Sequence, residues 1–192
     1  MFISMIILAV LLGLLRGGRL ANLTGIRLRY PLLILLSVII EYTGLFLMQS
    51  GILSSRPVIF AFVVVHYVLL FAFIWLNRDL PYLWCAGAGS VLNFLVILVN
   101  KGSMPLSARV TEVSEVTGNL RHLLEGRFLT YHIINESTRL WFLGDVVLLP
   151  WPFSCFVSIG DIILYAGVFL LVQSVVAGGK KDESGTKDGS KA

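Results

Sequence analysis

Charge is what this sequence has least of. Of 192 residues, 14% are Asp, Glu, Lys or Arg, and three are His. A soluble domain of this length needs far more polar side chains to cover its surface. Cysteine is scarce as well. Cys85 and Cys155 are the two present, which allows one disulfide at most and excludes a cysteine-built zinc framework. No Walker loop or dinucleotide fingerprint occurs, and no metal or organic cofactor is implied. The small basic excess of +4 comes from loops and tail. It therefore bears on orientation in a membrane and not on nucleic-acid binding.

What is abundant is apolar sequence: 57% of the residues are hydrophobic, and the mean hydropathy of the chain is +0.87. The apolar runs cover 2–15, 31–49, 57–76, 80–99 and about 156–177. They approach the ~20 helical residues that cross ~30 Å of hydrocarbon. Backbone groups in lipid must be satisfied within the segment, so each run reads as a helix. The expectation is an all-α integral membrane protein with five transmembrane helices in one membrane domain, 1–177. Phe2–Leu15 has no basic residue ahead of it, and Gly17-Gly18 is a poor cleavage site. It reads as a retained first span and not as a signal peptide. Arg16, Arg19, Arg27, Arg29 and Arg78 then share one side with Lys180, Lys181, Lys187 and Lys191. That predicts the N-terminus out and the C-terminus in. Tyr30, Trp75, Tyr82 and Trp84 fall at inner ends, with Trp141 and Trp151 at the outer approach to the last span. Cys85 and Cys155 would lie in opposite leaflets, too far apart to bridge.

The outer segment, 100–155, is the place for extramembrane structure. Leu106, Val110, Val113 and Val116 form one helical stripe, and Leu120, Leu123, Leu124 and Phe128 a second. Two short amphipathic helices broken at Thr117-Gly118-Asn119 satisfy both patterns. The tail, 178–192, has no apolar side chain larger than Ala and is expected to be a disordered cytoplasmic segment.

A polar group at membrane depth is costly and faces protein or water. Glu41 and His66 sit midway along spans two and three and would meet near the midplane. They read as a proton relay or, more simply, as a helix–helix hydrogen bond; Asn93 in span four reads as interhelical glue. Asp161 lies just inside the last span, and Asp145 precedes it across a segment interrupted by Pro150 and Pro152. A hairpin there brings the two carboxylates together. Close carboxylates share a proton, one acting as base toward water and the other as acid. The simpler reading makes Asp145 a turn residue and Asp161 a partner of Arg139 or of another helix. His122, His132 and Glu136 are too loosely spaced for a metal site. Ser103, Ser107 and Ser114 have no paired base in the sequence. Asn135-Glu136-Ser137 is a glycosylation sequon that matters only in a secretory setting.

The stretches LLRGGRL, NKGSMPLS, TRLWFLGD and FVSIGD resemble a family of bacterial multi-pass membrane proteins catalogued only as a domain of unknown function. The resemblance runs to about Ser174 and implies the bacterial cytoplasmic membrane. A shorter stretch, Asn135 to Asp161, resembles the catalytic end of lipoprotein signal peptidases. That resemblance implies Asp145 and Asp161 as a catalytic pair. Asn100, Asn135, Arg139 and Ser158 would orient the peptide or the pair. Departures are visible: Thr138 replaces an Asp, Ser158 an Asn and Gly160 an Ala, and the Asn100-Lys101-Gly102 motif follows span four instead of span one. The partners implied are the lipid bilayer and a membrane-embedded peptide or lipoprotein precursor, with no nucleic acid. The alternative is a non-catalytic membrane protein: a small transport component, a sensor or an accessory subunit.

Overall fold

A computed structural model describes residues 2–110, 129–150 and 154–178. Positions 111–128, with the Thr117-Gly118-Asn119 break and His122, lie outside the described residues, as do Trp151, Pro152 and the tail beyond Gly178. Five α-helices are described: α1 (Phe2–Leu15), α2 (Leu32–Gln49), α3 (Arg56–Leu76), α4 (Leu83–Val99) and α5 (Ile159–Val176). Four short strands accompany them: β1 (Met104–Leu106), β2 (Tyr131–Ile133), β3 (Val147–Leu149) and β4 (Cys155–Val157).

Two expectations are corrected here. The chain is not all-α, because β1 pairs in parallel with β2 and β3 pairs antiparallel with β4. Nor are there five membrane-spanning helices. Among the described residues three are long and apolar enough to cross a bilayer: α2, α3 and α5. With 14 and 17 residues, α1 and α4 rise only about 21 and 25 Å against ~30 Å of hydrocarbon. The physical reason is clearest in α4. Its start is displaced to Leu83 by Tyr82 in the left-handed region, and it buries Leu83, Ala86, Gly87, Gly89, Ser90, Asn93 and Val96. One face of α4 serves packing within the protein while Trp84, Val91, Leu95 and Leu98 stay exposed, and hydropathy alone does not separate the two. The assignment of N-terminus out and C-terminus in was tallied over five crossings, and three candidate spans do not carry that tally.

α5 is the axis of the structure, packed along α4 on one side and α1 on the other. The approach is close because the chain is small where the helices cross. A side chain on Gly89 would run into the backbone of Gly160 and Leu164, and one on Gly167 into the backbone of Ala86. Small residues at such crossings let helix backbones touch. The loop after α1 satisfies an orphan carbonyl at the far end of α5: Arg19 N and Asn22 Nδ2 both donate to Val176 O at 2.9 Å. Opposite this layer, α2 and α3 form a hairpin, and α3 meets α4 over a short stretch. Asn77 closes the hairpin at one end, accepting from Arg29 N at 2.7 Å and donating to Arg29 O at 2.9 Å.

Candidate functional site

The site begins at the N-terminus of α5. Ser158 is fully buried and serves as the N-cap, its Oγ accepting from Asp161 N at 2.8 Å. Asp161 replies through Oδ2, which accepts from Ser158 N at 3.1 Å, completing a capping box. Asn93 on α4 joins both residues. Ser158 Oγ donates to Asn93 Oδ1 at 2.8 Å, and Asn93 Nδ2 donates to Asp161 Oδ1 at 2.7 Å. Every donor in this ring has an acceptor. Gly160 is required beside it, since a side chain there would collide with Asn93 Oδ1. Asp161 therefore takes the helix-partner role, with Asn93 and not Arg139 as the partner. No ion pair joins Arg139 to Asp145 or Asp161 among the described residues.

Asp145 reaches the same neighbourhood through the strands. Its N–H donates to Pro105 O at 2.8 Å and its carbonyl accepts from Ser107 N at 3.1 Å, laying it along β1. Beyond it, β3 and β4 fold the chain back with Val147 opposite Val157, which delivers the chain directly to Ser158 and Asp161. Asp145 is 8% exposed, and its Oδ1 has no hydrogen-bond partner. Burial first, and then the nearby Asp161 charge, push its carboxyl up to about 8. At neutral pH Asp145 is a protonated acid.

Both aspartates line one cavity of about 290 Å³ between the α2–α3 hairpin and the α4–α5 layer. Its wall also includes Glu41, His66, Tyr67, Asn93, Tyr131 and Tyr165, with apolar surface from Met48, Ile59, Phe62 and Met104. His66 Nδ1 lies 3.0 Å from Ser37 Oγ and 3.1 Å from Ser37 O, while Glu41 Oε2 is farther away at 3.8 Å. No hydrogen bond joins Asp145 to Asp161 among the described residues.

The other expected site residues stand apart from the cavity. Asn100 holds the backbone of Arg139 at both ends: its Nδ2 donates to Arg139 O at 2.7 Å and its Oδ1 accepts from Arg139 N at 3.0 Å. Asn135 forms a local turn, its Oδ1 accepting from Ser137 N at 2.9 Å and from Ser137 Oγ at 2.6 Å. One pairing escaped the sequence. Ser103 does have a histidine partner: its Oγ is 2.8 Å from His132 Nδ1, and His132 Nε2 is 3.2 Å from Thr138 Oγ1. Burial, then the Arg56 charge, lowers the His132 pKa, so the ring is neutral at pH 7. Successive strand residues face opposite sides, and Tyr131 lines the cavity, so His132 works on the far face, fastening β2 to β1. Asn93 was legible as interhelical glue, and it does join α4 to α5; its part in the cap of α5 was not. The tyrosines carried no signal separating them from interfacial aromatics.

Fold and cavity together define a helical, membrane-associated protein with a small polar hollow among its helices. The chain belongs to a family of unknown function, DUF5317, which matches residues 25–173. NKGSMPLS, TRLWFLGD and FVSIGD fall inside the matched stretch, and LLRGGRL precedes it. An uncharacterized protein of Thermotoga maritima is 26% identical over 171 residues, covering 88% of this chain and 89% of the relative. No solved structure matches.

Proposed function

We propose that this protein is a multi-pass component of the bacterial cytoplasmic membrane that binds a small solute in this cavity, as part of a transport system. One observation carries the reading: Glu41, His66, Asp145 and Asp161, drawn from three helices and a loop, line a single cavity. A purely structural role for four such groups would pair each of them off, and Asp145 Oδ1 is left open. The volume lies at the lower edge of the ~300–1,000 Å³ typical of ligand sites, which fits a small solute.

Thiol labelling tests whether solutes reach the cavity. With Cys85 and Cys155 replaced by Ala, Thr130→Cys places a thiol on the cavity wall and Ser137→Cys a thiol on the exposed surface. Thr130→Cys should react with neutral methyl methanethiosulfonate at a rate within about tenfold of the surface control. A Thr130→Cys protein that stays unmodified while the control reacts would mean the cavity is closed, and the reading fails.

A second reading has its own support. Asp145 and Asp161 share a cavity yet have different surroundings, one carboxyl orphaned and buried, the other held as an acceptor. Pairs of carboxylates driven apart by environment divide the acid and base roles in hydrolases. As a peptidase, the protein would cleave a lipoprotein precursor in reconstituted membranes, and Asp145→Asn or Asp161→Asn would each lower the rate by about 10²–10⁴-fold. Cleavage that survives both substitutions removes this reading.

A further inference from the structure

We infer that the cavity is selective for a small organic cation, an alkylammonium group that seats against the open oxygen of Asp145. The inference rests on the solute-binding reading above and adds the chemical class of the solute.

Three features of the wall converge on it. The first is sign. Glu41, Asp145 and Asp161 face the cavity, and among the described residues lining it none is Lys or Arg. His66 is the one titratable base there, and Glu41 lies 3.8 Å from its ring. An anion entering this space would meet three carboxyl groups and no fixed cation. The second is the unfilled acceptor. Asp145 is more than nine-tenths buried, lines the cavity, and has an oxygen with no donor. An ammonium group carries N–H donors and a charge, the two things that oxygen lacks. The third is aromatic surface. Tyr67, Tyr131 and Tyr165 line the same space as the carboxyls. Ring faces attract organic cations within ~6 Å, most strongly where water is excluded.

Seating a cation on Asp145 requires its carboxylate form, so the acid gives up its proton to solvent as the ammonium enters. The groups facing it are Glu41 from α2, His66 and Tyr67 from α3, Tyr131 from β2, and Asp161 and Tyr165 from α5. Affinity for the cation therefore rises with pH, about tenfold per pH unit while Asp145 is protonated, and levels off near its pKa of about 8.

The test uses the Thr130→Cys protein of the accessibility experiment, with cationic aminoethyl methanethiosulfonate and anionic sulfonatoethyl methanethiosulfonate as probes. At pH 8.5 the cationic reagent should be favoured by about tenfold or more over its ratio at Ser137→Cys. Adding Asp145→Asn should bring the ratio down toward the surface value. Ethylammonium chloride should protect the thiol, and better at pH 8 than at pH 6. Protection in phosphatidylethanolamine vesicles relative to phosphatidylglycerol vesicles identifies a lipid headgroup as the source of the amine; protection by the free amine alone identifies a dissolved solute. Labelling by the neutral reagent with no preference between charged ones overturns the inference and leaves solute binding standing. No labelling even by the neutral reagent overturns both. Should Asp145→Asn fail to fold, the reagent ratio in the protein that keeps Asp145 still decides.

Discussion

Replacing Asp145 with Asn should remove most of the pH dependence of stability between pH 4 and 8. The acid has an ordinary value of 3.8 and a folded value of about 8, set first by burial and then by the Asp161 charge. Below about pH 4 it is protonated in both folded and unfolded chains and contributes no pH term. Between the two values the unfolded chain releases the proton and the folded chain keeps it. Stability therefore falls as pH rises through this window, and settles at its lower level above pH 8. A separation from 3.8 to about 8, at 1.36 kcal/mol per pH unit, sets a ceiling of about 6 kcal/mol on the loss. Asn copies the shape of the neutral acid and does not titrate. Thermal unfolding in detergent at pH 4.5, 6.5 and 8.5 measures the effect: the native protein should lose Tm across the series and Asp145→Asn far less. Equal slopes in the two proteins would show that Asp145 is ionised in the folded state.

The second large effect should come from Asn93. Asn93→Ala leaves Ser158 Oγ without its acceptor and Asp161 Oδ1 without its amide donor, both where α5 begins. Two orphaned groups at about 1–3 kcal/mol each, with a small cavity added, predict a loss on the order of 4 kcal/mol. Ser158→Ala alone should cost about 1–2 kcal/mol as a lost N-cap. The ring also predicts coupling. In the double variant the losses should fall short of their sum by about 1 kcal/mol or more, because each single change already breaks the Ser158–Asn93 bond. Additive losses in a double-mutant cycle of reversible unfolding would separate the cap from the interhelical bond.

These effects follow from residues whose oddity is visible in the sequence but whose roles are not. Asp145, Asp161, Glu41 and His66 stand out because a charge or an imidazole in apolar sequence demands an explanation. Two prolines between Asp145 and Asp161 rule out one continuous helix, and the chain indeed turns back there through β3 and β4. The bond between Ser103 and His132 could not be seen, because parallel pairing of β1 with β2 joins segments far apart in the chain. Asn100, Asn135 and Arg139 were picked out by short motifs matched by type. The Asn100 amide holds the Arg139 backbone and the Asn135 amide a local turn, neither of them at the cavity wall.

The sequence by itself determined the apolar setting, the helical runs and the few polar residues that had to be accounted for. Those follow from local quantities: hydropathy, periodicity and the cost of burying a charge. Only the tertiary structure fixed where each helix begins and ends, and that α4 turns a buried face of small residues to α5. Only it decided that Asn93 completes the cap of α5, and that four ionisable groups from separate elements share one cavity. The reason is that an apolar side chain reads the same whether protein or lipid surrounds it. A carboxyl likewise reads the same until its neighbours fix whether it holds a proton.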